Sequence, residues 1–218
     1  MGIDLETVRA ELESAASDTE ARKIRGRLPD GATQVIGVRM GTVFDIARRS
    51  AGMPLVEVER LLTSGVYELK MVGISVLDFR ARAKDVDREA LYGMWMRNLD
   101  VIDTWDYIDR GAPRVIGTYL VDRSRDVLFE LASSVDRWHR RTAITAAFSI
   151  IRARDLADPL ALCELLADDP EHLVQTNVGV ALREIGRVDR AVLEEFLARR
   201  GGDLSAHARR TARTALGE

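Results

Sequence analysis

The sequence has little of several residue types, and each shortage excludes a class of protein or site. Cys163 is the only cysteine in 218 residues, so an intrachain disulfide is impossible, and its leucine neighbours predict a buried helical thiol. No run of 18 apolar residues occurs, so we expect no membrane span. The N-terminal segment is charged and lacks the apolar core of a signal peptide, which favours a cytoplasmic protein.

Motifs for metals, nucleotides and nucleophilic catalysis are missing as well. The three histidines are far apart in the chain and give no metal-ligand spacing with the single cysteine. No Gly-rich phosphate loop of the Walker or dinucleotide type occurs, and there is no serine nucleophile elbow. The sequence therefore predicts neither a metal nor a cofactor.

Charge is distributed unevenly along the chain. The net charge of −3 argues mildly against a protein that coats nucleic acid. Acids concentrate in residues 4–20 and 85–109, whereas residues 137–154 contain five arginines and no acid. The C-terminal stretch adds three further arginines, Arg209, Arg210 and Arg213. A local basic surface on an overall acidic protein is therefore expected.

Apolar residues recur with helical spacing throughout the chain. The pattern predicts about a dozen helices of about 10–16 residues, with a break at Pro29-Asp30-Gly31. Only Gln34–Val38 is β-like, and we expect a loop there. Helix pairs that recur about every 35–45 residues are typical of a HEAT-type array, which binds its partners on a concave face. The predicted fold class is all-α, an α-α superhelix of HEAT-like helix pairs. It forms one domain over residues 1–218, with less regular N-terminal helices over residues 1–30.

The most unusual segment is Asp103–Asp109, in which Trp105 and Asp109 share one face of a predicted helix. A flat indole beside a carboxylate suits a cationic, partly aromatic ligand. The alternative is structural: Trp105 packs into the core, and Asp109 pairs with Arg110 or Arg114. Spacing alone leaves both interpretations open.

The second candidate segment is Trp138–Ile144, which directly follows Arg137. Arg137 and Arg141 share a helical face, and Arg140 is turned about 100° away from it. Clustered guanidiniums recognise phosphates well, because their planar fork matches two oxygens. A solvated basic face is the alternative.

The third segment is Gln175–Glu184, which carries Gly179 inside a predicted helix. A glycine there costs about 1 kcal/mol relative to alanine. It marks either close helix packing, which we favour, or the close approach of a ligand.

Together, these segments resemble the AlkD-like DNA alkylation-repair glycosylases in their order and spacing. The likeness covers the chain from about residue 35 onward. It rests on Gly37–Met40, on Trp105–Asp109 followed by Ala112-Pro113, on Arg140–Ile144, on Gly179–Glu184, and on Leu204-Ser205 with the basic helix after it.

The resemblance implies HEAT-like repeats with a concave DNA-binding cleft and a monofunctional hydrolase that needs no metal. Its substrate would be double-stranded DNA carrying cationic N3- or N7-alkylpurines. Trp105 would lie against the deoxyribose of the lesion, and Asp109 would stabilise the oxocarbenium charge and position the water. Arg141 would hold the DNA backbone, with Arg140 as the alternative if the register slips. Arg137 and Arg183 complete the predicted DNA-binding set.

The sequence departs from the family pattern at three positions. Val180 stands where the family commonly has a tryptophan, Thr176 where it often has a lysine, and Gly41 where it often has a proline. A second aromatic wall and one phosphate contact would then be absent, which predicts a narrower or weaker activity. The alternative function is a HEAT scaffold that binds DNA without cleaving it, or that binds a protein partner.

Overall fold

A computed structural model describes residues 3–28 and 33–217. The described residues contain no β-strand, and the all-α prediction is confirmed. The predicted break at Pro29-Asp30-Gly31 lies outside the described residues. Thirteen α-helices of seven to 17 residues are present in the described part: α1 Leu5–Ser14, α2 Asp18–Arg25, α3 Met40–Arg49, α4 Leu55–Leu62, α5 Tyr67–Ala81, α6 Arg88–Arg97, α7 Trp105–Ala112, α8 Asp126–Ala132, α9 Arg137–Arg152, α10 Ala157–Leu165, α11 His172–Val188, α12 Arg190–Arg200 and α13 Ala206–Arg213.

Short polar side chains fix the starts of several helices. Asp87 accepts a hydrogen bond from the Ala90 amide at 2.9 Å, which caps α6. The carboxylate of Asp136 caps α9, and the hydroxyl of Ser205 caps α13. Each cap satisfies an amide that has no partner within its own helix.

Residues 1–111 form one compact unit, built around α5. Helix α5 is buried on nearly all sides and packs against both α3 and α4. The Gln34–Val38 segment is a loop, as predicted, with an isolated bridge between Gln34 and Val66. The bridge brings this segment to the start of α5, where the candidate site is anchored.

Residues 112–218 form a second compact unit with repeated helix pairs. Three of its helices, α9, α11 and α13, begin at residues 137, 172 and 206, which are 35 and 34 residues apart. The Asn177 amide donates to the Thr145 hydroxyl at 2.7 Å, and the Gln175 side chain accepts from the Ser205 amide at 3.0 Å. Arg141 also meets Leu173, and Gly179 meets Ala208, so contacting positions advance together along each pair and the three helices run parallel. The spacing matches the predicted HEAT-type period.

Candidate functional site

The predicted pair lies on α7, a helix of eight residues that begins at Trp105. Tyr107 and Ile108 are fully buried, whereas Trp105 is half-buried and Asp109 is exposed. One face of the helix is therefore packed in the core, and the other face is accessible to solvent. Because Trp105 and Asp109 are one turn apart, the indole and the carboxylate lie on the same side of the helix.

A hydrogen-bond network around Asp106 holds the first turn of α7. Hydroxyl groups of Tyr67 and Thr104 both donate to the Asp106 carboxylate, and the Tyr107 amide donates to it at 3.1 Å. The Tyr107 hydroxyl donates to the Tyr67 carbonyl at 3.0 Å, and the two rings stack 5.4 Å apart. Burial, and then the charge of Asp106, raise the pKa of Tyr67 well above its ordinary value. Tyr67 therefore stays a neutral donor and ties α7 to the start of α5.

Lys70, one turn further along α5, holds the segment that leads into α7. This lysine is buried, and its Nζ donates to the Val101 carbonyl at 2.9 Å and to the Asp103 carboxylate at 3.3 Å. A buried ammonium needs such partners to offset the loss of water. Tyr67 and Lys70 thus fix both the approach to α7 and its first turn.

Glu68, between those two residues, is fully buried and faces the loop at residues 36–38. Its carboxylate accepts three consecutive backbone amides, those of Ile36 at 2.9 Å, Gly37 at 2.7 Å and Val38 at 3.3 Å. Gly37 has φ +99°, and a Cβ there would collide with the backbone of α2 and the residue before it. The family-like entry at Gly37 is therefore a fixed loop held by one carboxylate.

The far end of α7 packs closely against α6. A Cβ at Gly111 would overlap the indole of Trp95, which is itself completely buried. Arg110, the neighbour of Asp109, forms an ion pair with the buried Asp78 at 3.0 Å. Both ends of the helix are thus fixed, which holds Trp105 and Asp109 in one orientation.

The arginines at the start of α9 have partners that the local sequence does not reveal. Arg140 binds Asp169 through two nitrogens, at 2.6 and 3.2 Å, and Arg137 pairs with Glu171 at 3.4 Å. Arg141 is only 2% exposed and donates to the Leu173 carbonyl. The acids come from the connection between α10 and α11, so the acid-free stretch of sequence is not acid-free in space.

The third segment forms the middle of α11. Gly179 faces α13, and a Cβ there would lie 2.7 Å from the Cα of Ala208. The favoured interpretation of Gly179 as a close-packing residue is therefore confirmed. Thr176, Val180 and Arg183 are half-buried on the accessible side of α11, and Arg183 pairs with Glu184 at 2.8 Å.

The two catalytic candidates belong to the first unit, and the four arginine candidates belong to the second. Tyr67, Glu68 and Lys70 were not predicted as site residues from the sequence, because their neighbours in α5 are mostly apolar. Charged residues in a helix this apolar are rarely buried without partners. The positions of Glu68 and Lys70 in the sequence could therefore have predicted buried polar contacts. In the part of the chain described, no helix is both long and apolar enough to cross a bilayer.

Comparison with known proteins gives a family and a fold. A family model described as DNA alkylation repair enzyme matches residues 8–216. One similar solved structure is described as "A new family of proteins related to the HEAT-like repeat DNA glycosylases with affinity for branched DNA structures". It has a TM-score of 0.69 and 17% sequence identity, and the match covers 99% of this chain and 94% of that one. No curated protein sequence matches the chain.

The structural match confirms the HEAT-like fold predicted from the sequence, and the family match confirms the resemblance to alkylation-repair proteins. Because the family match spans nearly all of the sequence, this chain belongs to the DNA alkylation repair enzyme family.

Proposed function

We propose that the protein is a DNA glycosylase that hydrolyses the N-glycosidic bond of cationic N3- and N7-alkylpurines in duplex DNA. The observation that carries the proposal is the accessible pair of Trp105 and Asp109 on a helix whose first turn is fixed through Asp106. A preorganised carboxylate acts on developing positive charge without reorganising at the moment of reaction.

The chemistry needs no acid, because the alkylated base is already a cation. The glycosidic bond breaks, and its electron pair leaves with the base, which departs neutral. Asp109 stabilises the sugar oxocarbenium and orients the water that adds to C1′, and the proton of that water passes to solvent. Trp105 covers the sugar with its indole face, where cation–π attraction also favours the charged state.

The arginines of the second unit supply the contacts with phosphate. Arg137 and Arg183 are half-buried with partly exposed guanidiniums, and they reach solvent as they stand. Arg140 and Arg141 are engaged by Asp169 and by the Leu173 carbonyl. A phosphate contact by Arg141 would have to replace its present interactions, because its guanidinium is almost fully buried.

Release of free base tests the proposal. Alkylated duplex DNA should yield 7-methylguanine or 3-methyladenine with the native protein. Asp109→Asn should reduce the rate by about 10²–10³-fold, while Asp45→Asn, an exposed carboxylate of α3 paired with Arg48, should leave it unchanged. Retention of activity in Asp109→Asn would remove Asp109 from the chemistry.

A second function, binding of DNA without cleavage, is favoured by Val180. The missing aromatic wall leaves less surface for a damaged nucleotide, and the structural relative is described by its affinity for branched DNA. This function predicts tighter binding of junctions than of linear duplex, with no base released from any alkylated substrate. If the protein also shows no salt-dependent binding of duplex DNA, a protein partner becomes the better interpretation.

A further inference from the structure

Helix α2 ends in a run of cations that the proposed lesion site does not use. Residues 22–27 contain four basic side chains, and no other stretch of six residues in the chain contains as many. All four are exposed, whereas Ala21 and Ile24 on the other side of the helix are buried. We call these four side chains the α2 cation cluster: Arg22, Lys23, Arg25 and Arg27.

The three arginines of the cluster have no carboxylate partner within the described residues. Each donates one long hydrogen bond, of 3.2–3.5 Å, to a neutral oxygen. Only Lys23 is paired with an acid, Glu20, at 2.9 Å. The other arginines of the first unit are paired with a carboxylate or, like Arg80 and Arg88, are held by two backbone carbonyls. The charge of the cluster is therefore the least compensated of this unit.

A second observation distinguishes the cluster from other exposed arginines. Arg152 and Arg154 of the second unit also form no ion pair among the described residues, so the lack of a carboxylate does not by itself define a site. Arg27, however, reaches the network that holds α7. It donates to the same Tyr67 hydroxyl that donates to the Asp106 carboxylate.

Arg25 reaches the same part of the first unit. Its guanidinium donates to the Val35 carbonyl at 3.2 Å, and the carbonyl of the preceding residue, Gln34, accepts from the Tyr67 amide at 2.8 Å. The side chains of Arg25 and Arg27 therefore converge where the loop at residues 34–38 meets the start of α5. This is also where Tyr67 holds the first turn of α7.

The first unit as a whole carries a charge that repels DNA. Residues 1–111 contain 19 acidic and 16 basic residues, and residues 100–109 contain four aspartates and no basic residue. A phosphate that approaches α7 therefore meets carboxylates of its own sign at short range. Exposed guanidiniums beside Tyr67 would offset this repulsion next to the helix that carries Trp105 and Asp109.

We propose that the α2 cation cluster binds the phosphodiester backbone of duplex DNA beside α7, with Arg25 and Arg27 as the principal contacts. A guanidinium fork matches two phosphate oxygens, and a charge-assisted bond is stronger than one to a neutral oxygen. Both side chains are exposed, so neither has to leave a buried ion pair to make the contact. The choice of DNA rests on the proposed function, but the binding itself requires no lesion.

The test is the salt dependence of binding to unmodified duplex DNA. The double variant Arg25→Gln with Arg27→Gln should lower the slope of log K against log salt by about 1.8, since each phosphate contact contributes about 0.9. Affinity at about 0.1 M salt should fall about tenfold or more for the same reason. An unchanged slope in this variant would overturn the proposal, and so would a native protein that does not bind duplex DNA.

The matched control is Arg48→Gln with Arg60→Gln. These arginines are exposed and lie in the same unit, but they are paired with Asp45 and Glu57. The control removes the same charge from a different place, so the slope should stay unchanged. An equal loss in the control would show a general effect of charge and would contradict a specific contact.

The lysine pair Arg25→Lys with Arg27→Lys separates lost contact from lost folding. It should keep most of the slope because the charge remains, and a loss as large as in the glutamine pair would overturn the proposal. Tighter binding of anionic phospholipid vesicles than of duplex DNA, with the same loss in the glutamine pair, would make a membrane surface the ligand and refute the assignment to DNA. Absence of base release by the native protein would refute the glycosylase and leave the binding result intact, because the assay contains no alkylated base.

Discussion

Replacing Tyr67 by phenylalanine removes one oxygen from the network that holds the first turn of α7. The lost hydroxyl is fully buried, donates to the Asp106 carboxylate, and accepts a longer bond of 3.4 Å from Arg27. A hydrogen bond to a charged group contributes about 1.5–3 kcal/mol, whereas a bond between neutral groups contributes about 0.5–1.5 kcal/mol. We therefore expect Tyr67→Phe to lower the free energy of unfolding by about 1.5–3 kcal/mol.

Tyr107→Phe is a matched control for this change. Tyr107 is equally buried, and its hydroxyl donates to a neutral backbone carbonyl at 3.0 Å. The same atom is deleted in both variants, so the difference between them measures the bonds of Tyr67 to charged partners, chiefly Asp106 and, at 3.4 Å, Arg27. Tyr107→Phe should cost only about 0.5–1.5 kcal/mol.

Urea and thermal unfolding measure both variants. In a chain of this size, 1 kcal/mol shifts Tm by about 2–4 °C, so Tyr67→Phe should lower Tm by about 3–12 °C. A cost for Tyr67→Phe equal to or below that of Tyr107→Phe would refute the argument that Asp106 organises the start of α7. The rate of base release should also fall in Tyr67→Phe, since Trp105 and Asp109 lie on the helix that loosens.

The pH dependence of the same variant has a definite sign. The raised pKa of Tyr67 means that the folded state resists ionisation of this phenol. Its contribution to stability is therefore complete below the ordinary tyrosine pKa of about 10 and is lost as the pH rises above it. Tyr67→Phe should lose less stability between pH 9 and pH 11 than the native protein does, as measured by urea unfolding at each pH.

Three further predictions concern the second unit. The control for the first of them, Gly93→Ala, lies in the first unit. Gly179→Ala should destabilise the protein by about 1–3 kcal/mol through overpacking. Gly93→Ala, where a Cβ would make only an ordinary contact with the Arg97 side chain at 3.7 Å, should stabilise it by up to about 1 kcal/mol; equal effects on Tm would contradict the close-packing role of Gly179. Asp169→Asn should cost about 1–3 kcal/mol, because it removes the carboxylate that the half-buried guanidinium of Arg140 binds, and the exposed neighbour change Asp168→Asn should be nearly neutral in urea unfolding. Burial raises the pKa of the Cys163 thiol, so a thiol reagent at pH 8 should modify it only after unfolding, and rapid labelling of the native protein would show that the site opens.

Periodicity and capping residues were enough to predict most of the helices. Asp87, Asp136 and Ser205 are short-range signals, because a cap bonds to an amide only two or three residues away. Gly179 was predictable for a related reason: its cost within a helix needs a compensating contact. Such local rules describe where helices begin and which residues need close neighbours.

The supports of the candidate site were not predictable in this way. Tyr67 meets Asp106 across 39 residues, and Arg140 meets Asp169 across 29. The sequence near either partner does not indicate that the pair forms, because the contact depends on how distant segments of the chain pack together. For this reason Arg137 and Arg140 looked like parts of an acid-free basic segment, although both have carboxylate partners.

The carboxylate of Glu68 limits which mutations the first unit can accept. Aspartate is shorter by about 1.5 Å, one carbon–carbon bond, and could not reach all three amides of residues 36–38 from the α5 backbone. Glutamine would turn an N–H group toward amides that are themselves donors. Neither of the usual conservative replacements preserves the loop, and Gly37 cannot change independently because its φ of +99° excludes most side chains. We therefore expect related proteins to keep glycine at position 37 and glutamate at position 68 together. A substitution at either position alone would disrupt the loop and, through α5, the helix that carries Trp105 and Asp109.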